Sequence, residues 1–262
     1  MGDSNEKEMT FWEHLDELRK VFFRMALAVL SLTCIAFIFK DFLFSIVLAP
    51  QRPDFILYRF FNNLAQKYAM PSLETGNFQV ELISTQLTSQ FMTHMSVALY
   101  AGLLLASPYI IYLLFQFVSP ALHKAERKIC LKILFPAFFL FFAGITLNYF
   151  IIFPLSFRFL ATYQVSETVT NLISLSSYIS SFIMLSLLLG AAFEIPVIAW
   201  FLAKLHLVNA NLLKRYRKHS FVGILILAAI ITPTSDVFTL LLVTLPLYLL
   251  YELSIQVVRR NS

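Results

Sequence analysis

Two short charged stretches set carboxylates among bases, and each is pressed against a long apolar run. One is Thr10-Phe-Trp-Glu-His-Leu-Asp-Glu-Leu-Arg-Lys20, and the other is Ser119-Pro-Ala-Leu-His-Lys-Ala-Glu-Arg-Lys128. Lys and Arg alone would serve an anchor at a headgroup layer, so Glu17 and Glu126 point to a surface that receives a positively charged peptide. Arginine pairs with a carboxylate through two parallel N–H···O bonds, which a lysine point charge does not match. Each carboxylate also has a plainer explanation. Acidic side chains favour a helix N terminus, and Glu17 can reach Lys20. Glu126 stands beside Lys124, Arg127 and Lys128, and surface bridges are common and weak. Against the plainer account, Glu13 and Glu17 make a like-charge i,i+4 pair that costs roughly 0.2–0.5 kcal/mol.

A third carboxylate has a different setting. Glu194, in Gly190-Ala-Ala-Phe-Glu-Ile-Pro196, falls about 14 Å from the inner end of its apolar run at helical rise. An ionisable group near mid-bilayer is costly and faces a bundle interior or a wet cavity. Two readings stand: a functional carboxyl, or a protonated acid satisfying a carbonyl freed by a nearby proline. Glu252 is nearer the inner surface, within reach of Arg259 or the headgroups. His94 has no second His or Cys at metal spacing, and Asp236 has the setting of a turn residue. The sequence contains no GxxxxGK[ST] phosphate loop and no GxSxG or HExxH pattern, so nucleotide hydrolysis and enzymatic chemistry are not expected. Cys34 and Cys130 have neither a disulfide pattern nor metal-ligand spacing.

The elements that must position these residues are membrane spans. The chain is 59% hydrophobic and 13% charged, with a mean hydropathy of +0.76. Soluble domains carry about 25% charged residues, so lipid is the expected solvent. The net charge of +5 reflects cytoplasmic loops rather than nucleic acid. The reading is an all-α polytopic membrane protein, a single membrane domain over 1–262. An amphipathic cytoplasmic segment, 1–20, precedes six transmembrane helices at 21–39, 91–117, 133–157, 178–203, 221–232 and 237–258. The fifth and sixth are expected to be short, and the fifth, at about 12 residues, rises only about 18 Å. The first run follows a charged stretch and lacks a small-x-small cleavage pattern, so it is expected to stay in the mature protein.

With the N terminus inside, 15 of the 20 Lys and Arg residues fall in inner segments, which predicts that both termini are cytoplasmic. Phe55–Tyr68 is aromatic enough to lie along the membrane surface. Pro108, Pro136, Pro154, Pro196 and Pro246 predict bent helices in a non-parallel bundle. Between the last two spans, Thr232-Pro-Thr-Ser-Asp236 reads as a tight turn. Its hydroxyls at membrane depth make Thr232 and Asp236 the expected contacts for a single-span partner helix, with Leu240 packing beside it.

Taken in order, Phe11-Trp-Glu-His-Leu-Asp-Glu-Leu-Arg-Lys20, Ser119 to Lys128, Tyr149-Phe-Ile-Ile-Phe-Pro154, Phe193-Glu-Ile-Pro196, Thr232-Pro and Asp236-Val-Phe238 resemble the TatC family, core receptor subunits of the twin-arginine protein translocase. The resemblance runs from Met9 to Arg260. It implies six helices in a concave bundle in the bacterial cytoplasmic (inner) membrane. It also implies binding of twin-arginine signal peptides by Glu17 and Glu126, with Arg19 and Arg127 alongside. Partnership with TatA- and TatB-type subunits in an oligomeric complex, and export of folded proteins by the proton-motive force, follow in the same way. The turn here is one residue longer than the Thr-Pro-Pro-Asp common in the family, and Leu240 stands where Gln is frequent. The alternative is a proton-coupled small-solute transporter with Glu194 as its relay. No fixed-period repeat supports that alternative, and the polar residues gather at the cytoplasmic surface.

Overall fold

The computed structural model describes residues 11–68, 80–118, 124–164, 166, 171–205, 207–232 and 236–261; the side chains of 11, 13, 14, 118, 124–133, 260 and 261 are outside that description. Thr10, Thr234 and Ser235 also lie outside the described residues. The regular structure of the described residues is helical apart from a two-residue parallel pairing of β1 (Leu82–Ile83) with β2 (Ile173–Ser174), which the sequence did not announce.

No Gly or Pro falls within 11–38, so the charged segment and the first apolar run form one continuous helix, α1 (Phe11–Ile38). Short helices α2 (Lys40–Val47) and α3 (Ile56–Lys67) follow, then α4 (Ser89–Val118) and α5 (Lys124–Leu147). A π turn over Asn148–Ile152 links α5 to α6 (Phe153–Thr162). Beyond β2 come α7 (Leu175–Ala192), α8 (Ile195–Lys204), α9 (Ala210–Arg215), α10 (Arg217–Ile231) and α11 (Val237–Asn261).

Two prolines explain the two interruptions. Pro154 and Pro196 each stand in the first turn of a new helix, α6 and α8, where a missing N–H leaves no bond unmade. Upstream of Pro154 the chain widens into the π turn. Upstream of Pro196 it turns at Phe193–Glu194, so the span expected over 178–203 is broken into α7 and α8. Pro108, Pro136 and Pro246 lie inside helices that continue through them.

Among the described residues, five stretches are long and apolar enough to cross a bilayer: Leu15–Ile38, Ser89–Phe117, Leu134–Thr162, Leu175–Lys204 and Val237–Arg259. The last corrects one expectation. α11 has 25 residues, rising about 37 Å, so the final helix is not short, because Pro246 does not end it. α10 has 15 residues and rises about 22 Å, against a hydrocarbon layer of about 30 Å.

The chain forms two compact units, Met1–Ile38 with Ala98–Phe138, and Phe39–Val97 with Phe139–Ser262. In the first, α1 and α4 meet at Gly102, where an added Cβ would sit 2.7–2.8 Å from the Thr33 backbone. In the second, α8 and α10 both pack on α11. Another close approach joins α5 to α7: a Cβ on Gly144 would come 2.8 Å from the Leu189 carbonyl oxygen.

Aromatic residues close one end of the second unit. Phe153 and Phe157 meet the Tyr178 ring edge-on, at 5.0 and 4.9 Å between centroids. Three phenols bind main-chain carbonyls: Tyr178 to Val47 at 3.0 Å, Tyr149 to Ile46 at 3.0 Å and Tyr58 to Pro154 at 2.9 Å. The end of α2 is thereby tied to the π turn and α7, and α3 to α6. α3 lays Tyr58 and Ala65 inward while Ile56, Phe60 and Leu64, at i, i+4 and i+8, stay exposed.

Candidate functional site

Glu17 and Lys20 share one face of the first turns of α1. Their charged groups lie 3.5 Å apart, with both side chains substantially exposed. An exposed i,i+3 pair of this kind is worth little, so it leaves the Glu17 carboxylate open to a stronger guanidinium partner. Asp16, Arg19, Lys20, Phe22, Phe23 and Arg24 line one open depression on the same helix. Trp12 stands exposed a turn earlier. The N-terminal part of α5, from Lys124, belongs to the same compact unit as α1. The side chains of Glu126 and Arg127 lie outside the described residues.

Glu194 occupies the break between α7 and α8. Its N–H bonds the Ala191 carbonyl at 3.1 Å and its own carbonyl receives Ile198 N–H at 2.9 Å. Its Oε1 is buried without a hydrogen-bond partner. That oxygen is therefore turned into protein rather than lipid. Two turns before it on α7, Ser186 accepts a 2.7 Å hydrogen bond from Asn148 Nδ2 at the start of the π turn. Both residues are fully buried, and Asn148 Oδ1 has no partner. The glycines at 144 and 190 let α5 and α7 approach closely enough for this bond.

The turn before α11 is held by its own chain. Asp236 Oδ1 accepts Thr239 N–H at 2.7 Å, which caps α11. Thr232 is buried, and its hydroxyl lies 3.4 Å from the Ala229 carbonyl. Phe238 stacks on Phe159 with centroids 4.4 Å apart. Beside the turn, Val222, Ile226 and Ile230 form an exposed apolar stripe along α10. Glu252 pairs with Arg217 at 2.6 Å rather than with Arg259, because α10 begins against that part of α11. His94 packs edge-on to Phe44.

A family model described as Sec-independent protein translocase protein (TatC) matches residues 13–246. The chain belongs to the TatC family. Among curated TatC proteins, that of Blattabacterium sp. subsp. Periplaneta americana is 37% identical over 97% of this chain and 96% of its own length. That of Carboxydothermus hydrogenoformans is 32% identical over 95% and 93%. A crystal structure of the twin arginine translocase receptor TatC, determined in the detergent DDM, superposes with a TM-score of 0.74 at 31% identity, over 94% of this chain and all of that one. As a TatC-family member, the chain is a multi-pass membrane component of a protein translocase.

Three features of this TatC-family chain escaped the sequence reading: the Asn148–Ser186 bond, the Arg217–Glu252 pair and the three carbonyl-binding tyrosines. Asn148 carried a signal, being an amide within an apolar run. Ser186 carried none, since a serine can satisfy itself on its own helix.

Proposed function

We propose that this chain is the receptor subunit of a twin-arginine translocase in the bacterial cytoplasmic membrane. It binds twin-arginine signal peptides and, with TatA- and TatB-type partners, exports folded proteins by the proton-motive force. The topology that goes with this reading is a single membrane domain of six membrane helices in a concave bundle, with α10 as the short fifth and both termini cytoplasmic. Glu17 and Glu126 receive the two arginines, and Arg19 and Arg127 flank them. The observation that carries the reading is the weakly paired Glu17 carboxylate, on a unit that also includes the start of α5. Near-complete similarity to a solved twin arginine translocase receptor supports it.

Partner contact falls at the turn that starts α11, around Thr232 and Asp236. Since Thr232 is buried, the partner is expected to meet the turn's edge and exposed Ile230 beside it rather than the hydroxyl. The transporter alternative keeps one supporting observation, the unpartnered Glu194 oxygen.

The test uses purified protein and a twin-arginine signal peptide. Replacing Glu17 and Glu126 together by Ala should weaken binding by on the order of 1.5–3 kcal/mol or more, less where water screens the pair. Changing both peptide arginines to lysine should do the same. Unchanged affinity in the double variant would remove these carboxylates from the site.

A further inference from the structure

Where α9 meets α10, the chain carries Asn211-Leu-Leu-Lys-Arg-Tyr-Arg-Lys-His219, four Lys and Arg within five residues. One of them is used internally. Arg217 turns onto Glu252 at 2.6 Å, with the Tyr248 hydroxyl 3.4 Å from the same carboxylate. The Tyr251 hydroxyl bonds the Leu213 carbonyl at 2.7 Å, and the Asn209 side chain caps α9 through Leu212 N–H at 2.8 Å. The junction is thus pinned to α11 at both levels. Lys214, Arg215 and Lys218 are exposed and form no ion pair among the described residues.

We infer that Lys214, Arg215 and Lys218 form a binding surface for the headgroup phosphates of anionic phospholipid. The inference rests on the proposed inward orientation only for which leaflet supplies the lipid. Two observations favour lipid over an acidic protein, and a third favours an anion of either kind. Exposed Leu212, Tyr216, Phe221 and Val222 adjoin the cations, giving the mixture of basic and apolar side chains that suits a headgroup–acyl boundary. The apolar stripe continues from Lys218 down α10 through Val222 and Ile226, so an acyl chain lying on that part of the stripe brings its phosphate to these cations. No side chain caps the N terminus of α10, and an uncapped helix start attracts anions. Clustered bases at the membrane end of a helix read as anionic-lipid sites, with about fivefold in affinity for each base.

The test uses full-length protein purified in dodecylmaltoside and stripped of lipid. It is titrated with fluorescent phosphatidylglycerol and, separately, with fluorescent phosphatidylcholine. K214Q/R215Q/K218Q should weaken phosphatidylglycerol binding at least about tenfold and leave phosphatidylcholine binding unchanged. Charge-retaining K214R/K218R should keep wild-type affinity, which separates loss of charge from loss of fold. Four results would overturn the inference. One is unchanged phosphatidylglycerol affinity in the triple glutamine variant. A second is an equal loss in K40Q/R52Q/K67Q, which would show a diffuse charge effect. Full displacement by millimolar inorganic phosphate would show a free-phosphate site, and displacement by a polyglutamate peptide at lower concentration than lipid would show an acidic-peptide surface. Cysteine labelling of the intact membrane tests the orientation by itself, so its failure would not be mistaken for failure to bind lipid.

Discussion

At the scale of single residues, the buried polar atoms divide into those that hold the fold and those that do not. Asn148 binds Ser186 inside the second unit. Asn148→Ala should lower thermal stability in detergent by roughly 0.6–2 kcal/mol, with Asn148→Ala and Ser186→Ala less than additive in combination. Additive losses would mean the bond contributes nothing. Glu194 makes the opposite case, because its Oε1 has no partner to lose. Glu194→Leu should match or exceed wild-type stability while impairing export, and Glu194→Gln should keep the fold. Full export in both variants would leave this carboxyl no role in passage. Tyr58 supplies a pH dependence outside the membrane spans. Burial pushes its phenol from 10.0 up to about 12, with Arg158 pulling the other way. A raised folded value means the contribution is whole below pH 10 and fades as pH rises towards 12. Stability measured across that interval should fall, and Tyr58→Phe should flatten the decline.

At the scale of elements, close helix approaches were invisible in sequence, yet they decide what each glycine tolerates. Gly102→Ala would press a methyl onto the Thr33 backbone at 2.7–2.8 Å, and Gly144→Ala would meet the Leu189 carbonyl at 2.8 Å. Each should cost about 1–3 kcal/mol, read as loss of folded protein on heating. Gly223 sits on α10 with nothing within 4 Å of an added Cβ. Gly223→Ala should therefore be neutral or stabilise α10 by up to about 1 kcal/mol. If all three variants behave alike, the helix contacts described here are wrong. The same scale explains α10 itself. Its start at Arg217 is drawn onto α11 by Glu252, which extends it four residues before the expected Phe221.

For the whole molecule, the prediction is topological and follows from the distribution of Lys and Arg. Cysteines introduced near Gln66 and Ser166 should label from outside intact cells, whereas those near Ala125 and Asn211 should not. Labelling at the last two would reverse the orientation and remove Glu17 and Glu126 from the face where a signal peptide arrives. Two compact units also give a mechanical expectation. The candidate peptide carboxylates belong to the first, while Glu194 and the α10–α11 turn belong to the second. Variants of Glu17 and Glu126 should thus affect peptide binding without changing the stability gained from the Asn148–Ser186 bond.

The sequence by itself determined the solvent, the class and the family. Long apolar runs can satisfy their backbone in lipid only as helices, so composition and length were enough to place all-helical spans. The ordered charged and proline motifs were enough to indicate TatC. The positions of Glu17 at the mouth of a span and of Glu194 within one were legible for the same reason, since a charge in an apolar run stands out against its neighbours. What only the tertiary structure decided are pairings between distant segments. Whether Pro196 kinks a helix or starts a new one depends on what receives the chain beyond it, and here α8 packs on α11. Glu252 had Arg259 about two helix turns along its own chain, and helix packing brought Arg217 to it instead. Thr232 looked available to a partner because local spacing shows a hydroxyl but not the neighbours that bury it. Periodicity along one helix records which face avoids water; it does not record which other helix that face will meet.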